Sequence, residues 1–344
     1  MKKITFWVIL ISLIIIMTLV LVFIAEGFSS FILFTRNALP FSESRHTKYD
    51  SLLGWSNIPG FQEKNFYGKH KNLTINQQGF RNLINFPKDI PEGKIRILCS
   101  GDSFTLGYGV DDQETWCQQL SQIEPKLETV NMGQGGYGVD QVYLWYKRDG
   151  IKLDHQIHIF TFIGNDFERM ESTLFETYPK PILNVENNNL EVNNIPVPRL
   201  STFNIHSNRI FRASGQFKFV ELVQKINLGN YSPNSPNPDI LYGEQHISVL
   251  YKLFTDLKEI NQNKQSKLLM VYLPVQSEYQ KTSAWNITIA RILQDLEIEY
   301  IDLSPDFNQL NLDTHTSLFN GHYSAVGNKF VADTLYQKIS RYLN

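Results

Sequence analysis

The chain has very little cysteine: Cys99 and Cys117 are the only two among 344 residues. Two cysteines cannot build a disulfide framework, and neither has the CxxC neighbour that zinc or thiol redox work calls for. Both read as semi-buried thiols, the common state of free cysteine. A stripe of one charge sign is also missing. The formal net charge is −2 and no basic cluster is present, which excludes a nucleic-acid backbone as an expected partner. His155 and His158 lie in a strand-like run without a ligand set, so no metal is implied. No organic cofactor is implied either, a point the glycines below put to the test.

What the chain does have is one long uncharged apolar run, Ile4 to Ala25, after Lys2 and Lys3. At roughly 1.5 Å per helical residue it spans about 33 Å, enough for the hydrocarbon core of a bilayer. A cleaved signal peptide has a shorter apolar region and a small-residue cleavage site. Neither is evident before Glu26, so residues 1–25 read as an uncleaved single-pass anchor. The two lysines place the N-terminus in the cytoplasm, with Arg36 weakening the contrast, and the rest of the chain outside it. A chain of 344 residues with 42% hydrophobic composition can bury a sizeable core.

Residues 26–93 are polar and turn-rich, without a sustained period, and read as a juxtamembrane extension. From Lys94 a strand-then-helix rhythm sets in. The apolar runs "KIRILCS", "LETVNM", "HQIHIFTFI", "KLLMVYLP" and "EYIDLS" read as strands. "ETWCQQLSQI", "VDQVYLWYKRD", "SAWNITIARILQDL" and "AVGNKFVADTLYQKISRYL" read as helices, the last with Val331, Leu335 and Ile339 on one face. The alternation predicts an α/β, flavodoxin-like three-layer sandwich over residues 94–344, its parallel sheet covered on both faces. An insertion at 168–240 breaks the rhythm with two short strands around an Asn-rich turn, then a Pro/Asn-rich loop placed to cover a cleft.

In such a sheet ligands bind beyond the carboxyl ends of the strands. "GQGGYG" at 133–138 has the glycine spacing of a dinucleotide turn, yet it follows the second strand. Asp154 and Asp166, the nearest acidic residues, stand at poor offsets for a ribose. The other strand ends carry Asp102-Ser103, Gly164-Asn165-Asp166 and, before the last helix, His322. A serine on an exposed strand-to-helix turn, a histidine to take its proton and nearby N–H donors make up nucleophilic acyl chemistry.

"GDSFTLGYG", "NMGQGGYG", "GND" and "NGHYSAVGN", in that order, resemble the blocks of the SGNH or GDSL hydrolases, a superfamily of serine esterases and related acyl enzymes. The stretch "YDSLLGWSNIPG…INQQGFRN" also resembles membrane-anchored bacterial members. The resemblance implies Ser103 as nucleophile, His322 as general base, and an oxyanion hole built from the N–H groups of Ser103 and Gly136 and the side-chain amide of Asn165. Asp102 and Asp166 would brace these turns.

The pattern departs from the family where an aspartate usually precedes the histidine by two or three positions: here stand Phe319 and Asn320. Asn320 can orient an imidazole by a hydrogen bond but cannot stabilise imidazolium by charge. Asp313 is the substitute carboxylate, and Asp313 with His315 is a rival pair lacking the following "SAVGN" block. The expected function is removal of O-acyl, chiefly acetyl, groups from envelope or exported carbohydrate, or from a small ester, outside the cytoplasm. An acyltransferase using the same site and a non-catalytic binding or assembly protein are the alternatives.

Overall fold

The apolar runs of residues 94–344 assemble as a five-stranded parallel sheet. The computed structural model describes residues 2–38, 45–176, 178–198, 244–281 and 283–343. Within them the sheet comprises β1 (Ile95–Gly101), β2 (Leu127–Gly133), β3 (Ile157–Phe162), β4 (Lys267–Tyr272) and β5 (Glu299–Asp302). Their spatial order is β5-β4-β3-β1-β2 and every pairing is parallel. This is the flavodoxin-like order, in which the chain reverses direction of growth between β1 and β3. The carboxyl ends of those two strands, which carry Ser103 and Asn165, therefore flank the crevice where such folds bind ligands.

The chain divides into two compact units, the first containing α1 (Lys2–Ala38) and the second spanning His46–Arg199 and Pro236–Asn344. From Ile4 to Ile32, beyond the Ala25 expected from sequence, α1 is long and apolar enough to cross a membrane. Length and composition fit a membrane anchor and a signal sequence alike.

In the second unit the described helices include α2 (Ser103–Leu106), α3 (Trp116–Ile123), α4 (Val139–Arg148), α5 (Gly164–Arg169), α6 (Glu244–Asn263), α7 (Ala284–Asp295) and α8 (Ala325–Ile339), with two further short helices, Ser304–Asn308 and Leu312–Ser317, between α7 and α8. Period-two alternation sends neighbouring side chains of each strand to opposite faces. Leu98, Phe160 and Met270 pack with α4, α6 and α7 on one face. Ile97, Ile159 and Leu269 pack with α3 and α8 on the other. The strand-helix alternation assigns nothing to α6, yet its period is there, with Val249, Leu250, Leu253, Phe254 and Leu257 fully buried. The described part of the insertion holds the expected hairpin, Ile182–Glu186 against Asn189–Asn193, turning through Asn187 and Asn188 at positive φ. Its Pro/Asn-rich loop lies outside the described residues.

The cysteines correct the sequence reading. Cys99 and Cys117 are not thiols but a disulfide, and both are fully buried. Cys99 projects from β1 toward the α3 face and Cys117 sits in the first turn of α3, with Cα atoms 6.3 Å apart, inside bridging range. His155 and His158 form part of a buried polar network rather than a ligand set. His158 bonds Ser100 Oγ at 2.7 Å and Asn261 at 3.2 Å, while His155 bonds Tyr146 OH at 3.0 Å and the Leu153 carbonyl at 2.8 Å. Burial lowers the pKa of both, His155 to about 4.

Residues 46–93 lie along the β2 edge of the sheet. Arg81 N–H donates to the Asn131 carbonyl, Asn131 N–H to Asn82 Oδ1, and Asn82 Nδ2 to the Thr129 carbonyl, at 3.0, 2.9 and 3.0 Å. An edge strand covered in this way offers fewer free backbone groups to another chain.

Candidate active site

Ser103 opens α2, a single helical turn directly after β1. Asp102 caps that turn, its carboxylate accepting the Phe104 N–H at 2.9 Å, and Gly107 ends it in the left-handed region. Close packing against the end of β2 is possible because position 133 is glycine: a Cβ there would lie 2.0 Å from the Leu106 nitrogen. The buried Arg81 guanidinium holds the loop that follows, through Asp112 at 3.0 Å and the Leu106, Gly107 and Val110 carbonyls.

His322 Nε2 lies 2.8 Å from Ser103 Oγ, within reach of proton transfer. The imidazole stands on a two-residue hairpin, Phe319–Asn320 against His322–Tyr323, turned by Gly321 at φ +76°. Phe104 and Tyr108 pack around it with centroids at 4.8 and 5.0 Å. The rest of "NGHYSAVGN" fixes the hairpin to α8: Ser324 caps the helix and Asn328 Nδ2 donates to the Tyr323 carbonyl. Burial lowers the His322 pKa, with the Asp102 charge pulling it up and Arg169 pushing it down.

Three donors follow the carboxyl ends of β1, β2 and β3. The N–H groups of Ser103 and Gly136 and the side-chain amide of Asn165, second residue of α5, make no hydrogen bond to any described residue. Gly136 has φ +73°, and a Cβ there would strike the Phe175 ring at 2.4 Å, so only glycine fits. Asn131, which opens the second block, braces the turn by donating to the Thr105 carbonyl and accepting the Gly133 N–H, both at 2.9 Å.

Below the serine lies a buried charge cluster that the sequence reading does not contain. Arg169 Nη1 contacts Asp166 Oδ1 at 2.6 Å, Asp102 Oδ2 at 3.1 Å and the Tyr137 carbonyl at 3.1 Å. Asp166 also caps α5 by accepting the Ile163 N–H at 3.0 Å. Burial and the neighbouring Asp102 push the Asp166 carboxyl well up against the pull of Arg169. Asp102 and Asp166 thus brace the serine and "GND" turns, joined by one guanidinium. The available signal was Arg169 at i+3 from Asp166 on a short helix.

The other sequence candidates do not join this group. Asn320 is in register with His322 but solvent-exposed, and its side chain makes no hydrogen bond to the imidazole. Nor does His322 Nδ1 have a partner among the described residues. Asp313 is exposed on the short helix Leu312–Ser317, and His315 is packed against Tyr279 at 4.4 Å and Phe319 at 5.1 Å. Among the described residues no group of three His, Cys, Asp or Glu side chains is placed to hold a metal ion.

No family model matches the chain, and no curated protein matches it. Solved structures that match include an acetyl xylan esterase, at 15% identity, covering 71% of this chain and 100% of that one with a TM-score of 0.41. A member of the lipolytic protein G-D-S-L family from Veillonella parvula matches at 13%, 72% and 99%, with a TM-score of 0.39. The psychrotrophic esterase EstA from Pseudoalteromonas sp. matches at 11%, 72% and 98%, with a TM-score of 0.41. Likenesses at these scores carry no argument about chemistry, which has to come from the side chains.

Proposed function

We propose that the chain is a membrane-anchored, extracytoplasmic serine esterase of the SGNH type. It removes O-acyl groups, chiefly acetyl, from envelope or exported carbohydrate. The observation that carries the reaction type is the 2.8 Å contact between His322 Nε2 and Ser103 Oγ at the carboxyl end of β1, beside unbonded N–H donors.

Ser103 Oγ attacks the acyl carbon while His322 Nε2 takes its proton. The negative charge on the carbonyl oxygen is met by the N–H groups of Ser103 and Gly136 and by Asn165 Nδ2, none of which must first break a hydrogen bond to a described residue. Collapse expels the alcohol, which takes the proton from His322, and leaves an acyl-serine. Water, deprotonated by His322, then attacks the acyl-serine, and the acid leaves as Ser103 Oγ takes the proton back from His322. Asp102, not Asn320, is the carboxylate whose charge favours imidazolium, though Arg169 offsets part of it. The buried disulfide supports an oxidising location, and α1 supports the anchor; the carbohydrate assignment rests on that location.

Acyl transfer to a sugar hydroxyl uses the same intermediate with a different acceptor. A non-catalytic role is favoured by one feature, the lack of a bonded partner on His322 Nδ1 among the described residues. The test is turnover of short acyl esters and acetate release from O-acetylated polysaccharide by the full chain in detergent micelles. Hydrolysis lost in Ser103→Ala is expected. No turnover above buffer on any ester, with or without a sugar acceptor, contradicts the proposal.

A further inference from the structure

The oxyanion turn contains two consecutive amides, those of Gly135 and Gly136, without a hydrogen bond to any described residue. Only one of the peptide planes that carry them has its carbonyl held by a side chain from residues 46–93. Trp55 Nε1 donates to the Gly135 carbonyl at 2.9 Å. In a planar trans peptide the C=O and the following N–H point in opposite directions. A carbonyl fixed toward Trp55 therefore sends the Gly136 N–H away from it. We infer that Trp55 is a positioning residue, whose indole N–H sets the orientation of the Gly136 amide in the oxyanion hole. This rests on the Ser103 esterase proposal.

The position needs such a lock. A peptide between two glycines has no Cβ on either side to oppose rotation, and both orientations are accessible to it. Here a flip would turn the Gly135 carbonyl toward the side now faced by the N–H, where a developing oxyanion would meet an acceptor instead of a donor.

Trp55 is itself held on both sides. It lies on the strand Gly54–Asn57 and is 8% exposed. Its own carbonyl accepts the Tyr137 hydroxyl at 2.5 Å, and the Leu53 carbonyl accepts Gln141 Nε2 at 2.7 Å. Burial raises the Tyr137 pKa well above its ordinary value, so that hydroxyl stays a donor. The rings of Tyr137 and Phe175 flank the indole at 5.5 and 5.9 Å. A segment that reads from sequence as a spacer thus supplies a hydrogen bond to the candidate catalytic turn.

The experiment compares the full chain with Trp55→Phe and with 3-benzothienylalanine at position 55, which keeps the indole shape and replaces N–H by sulfur. On a short acyl ester, kcat is expected to fall about 10- to 100-fold, somewhat less than the roughly 10²–10³-fold loss from removing an oxyanion donor outright, with KM within about twofold. The acid limb of the pH profile, set by His322, stays in place, whereas a general loosening of the site would move it. An active wild type with a benzothienylalanine variant within about twofold in kcat overturns this inference alone. A wild type without turnover overturns the Ser103 proposal and this inference with it.

Discussion

The two sides of Ser103 are built differently. On the oxyanion side the glycine turn is held by Trp55, Asn131 and Arg169, each through a hydrogen bond to its backbone. On the base side His322 stands on a two-residue hairpin and is oriented by its contact with Ser103 and the rings of Phe104 and Tyr108. On the proposed assignment the difference teaches that a site can invest in preorganised donors while its histidine has no carboxylate bonded to it among the described residues. Electrostatic preorganisation is commonly the largest catalytic contribution, and a histidine lacking a bonded carboxylate can still serve as base.

The comparison breaks first at the nucleophile pair. Ser103→Ala and His322→Ala are each expected to lower kcat by about 10³-fold or more, read from initial rates on a short ester. A His322→Ala variant near wild-type rate would leave the base side with no role. Next in size is the cluster joining the two turns. Arg169→Met leaves Asp102 and Asp166 buried without their cation, and urea unfolding is expected to show a loss of about 3–5 kcal/mol. A loss under about 1 kcal/mol would mean the cluster does not hold the site together.

The disulfide tests the scaffold under the base side, since α3 packs with α8 on that face. Closing a loop of 18 residues is worth about 3 kcal/mol on a chain-entropy account. Replacing both cysteines by serine should lower stability by about that amount, with kcat/KM of the folded fraction nearly unchanged.

The smallest effect is expected at Asn320. Because His322 must be neutral to accept a proton and burial lowers its pKa, the acid limb of kcat/KM should fall below pH 6.5. Asn320→Asp adds a solvent-exposed negative charge near the ring. It should move that limb upward and change kcat by less than about tenfold. A gain near 10³-fold would show that the missing carboxylate, not the donor side, limits the rate.

The sheet was legible because strands buried on both faces read as unbroken apolar runs, and the turns after β1, β2 and β3 carry residues that are ordinary singly but recognisable by their joint placement at successive strand ends. Asn131 was visible as a block marker, though not as the brace it is. Trp55 and Arg81 were illegible for a physical reason: their partners at Gly135 and Asp112 are fixed by tertiary contact across long separations. The disulfide needed both the strand parity of Cys99 and the facing of α3, and neither follows from two isolated cysteines. Asn320 shows the reverse case, a position whose sequence offset implied contact that the hairpin geometry does not make.

The most direct measurement is mass-spectrometric mapping of a fluorophosphonate adduct on the full chain, alongside His322→Ala. The account requires one adduct per chain, on the peptide bearing Ser103, forming at least about 10²-fold more slowly in the variant. An adduct on another residue, or none on wild type while the protein remains folded, would contradict it.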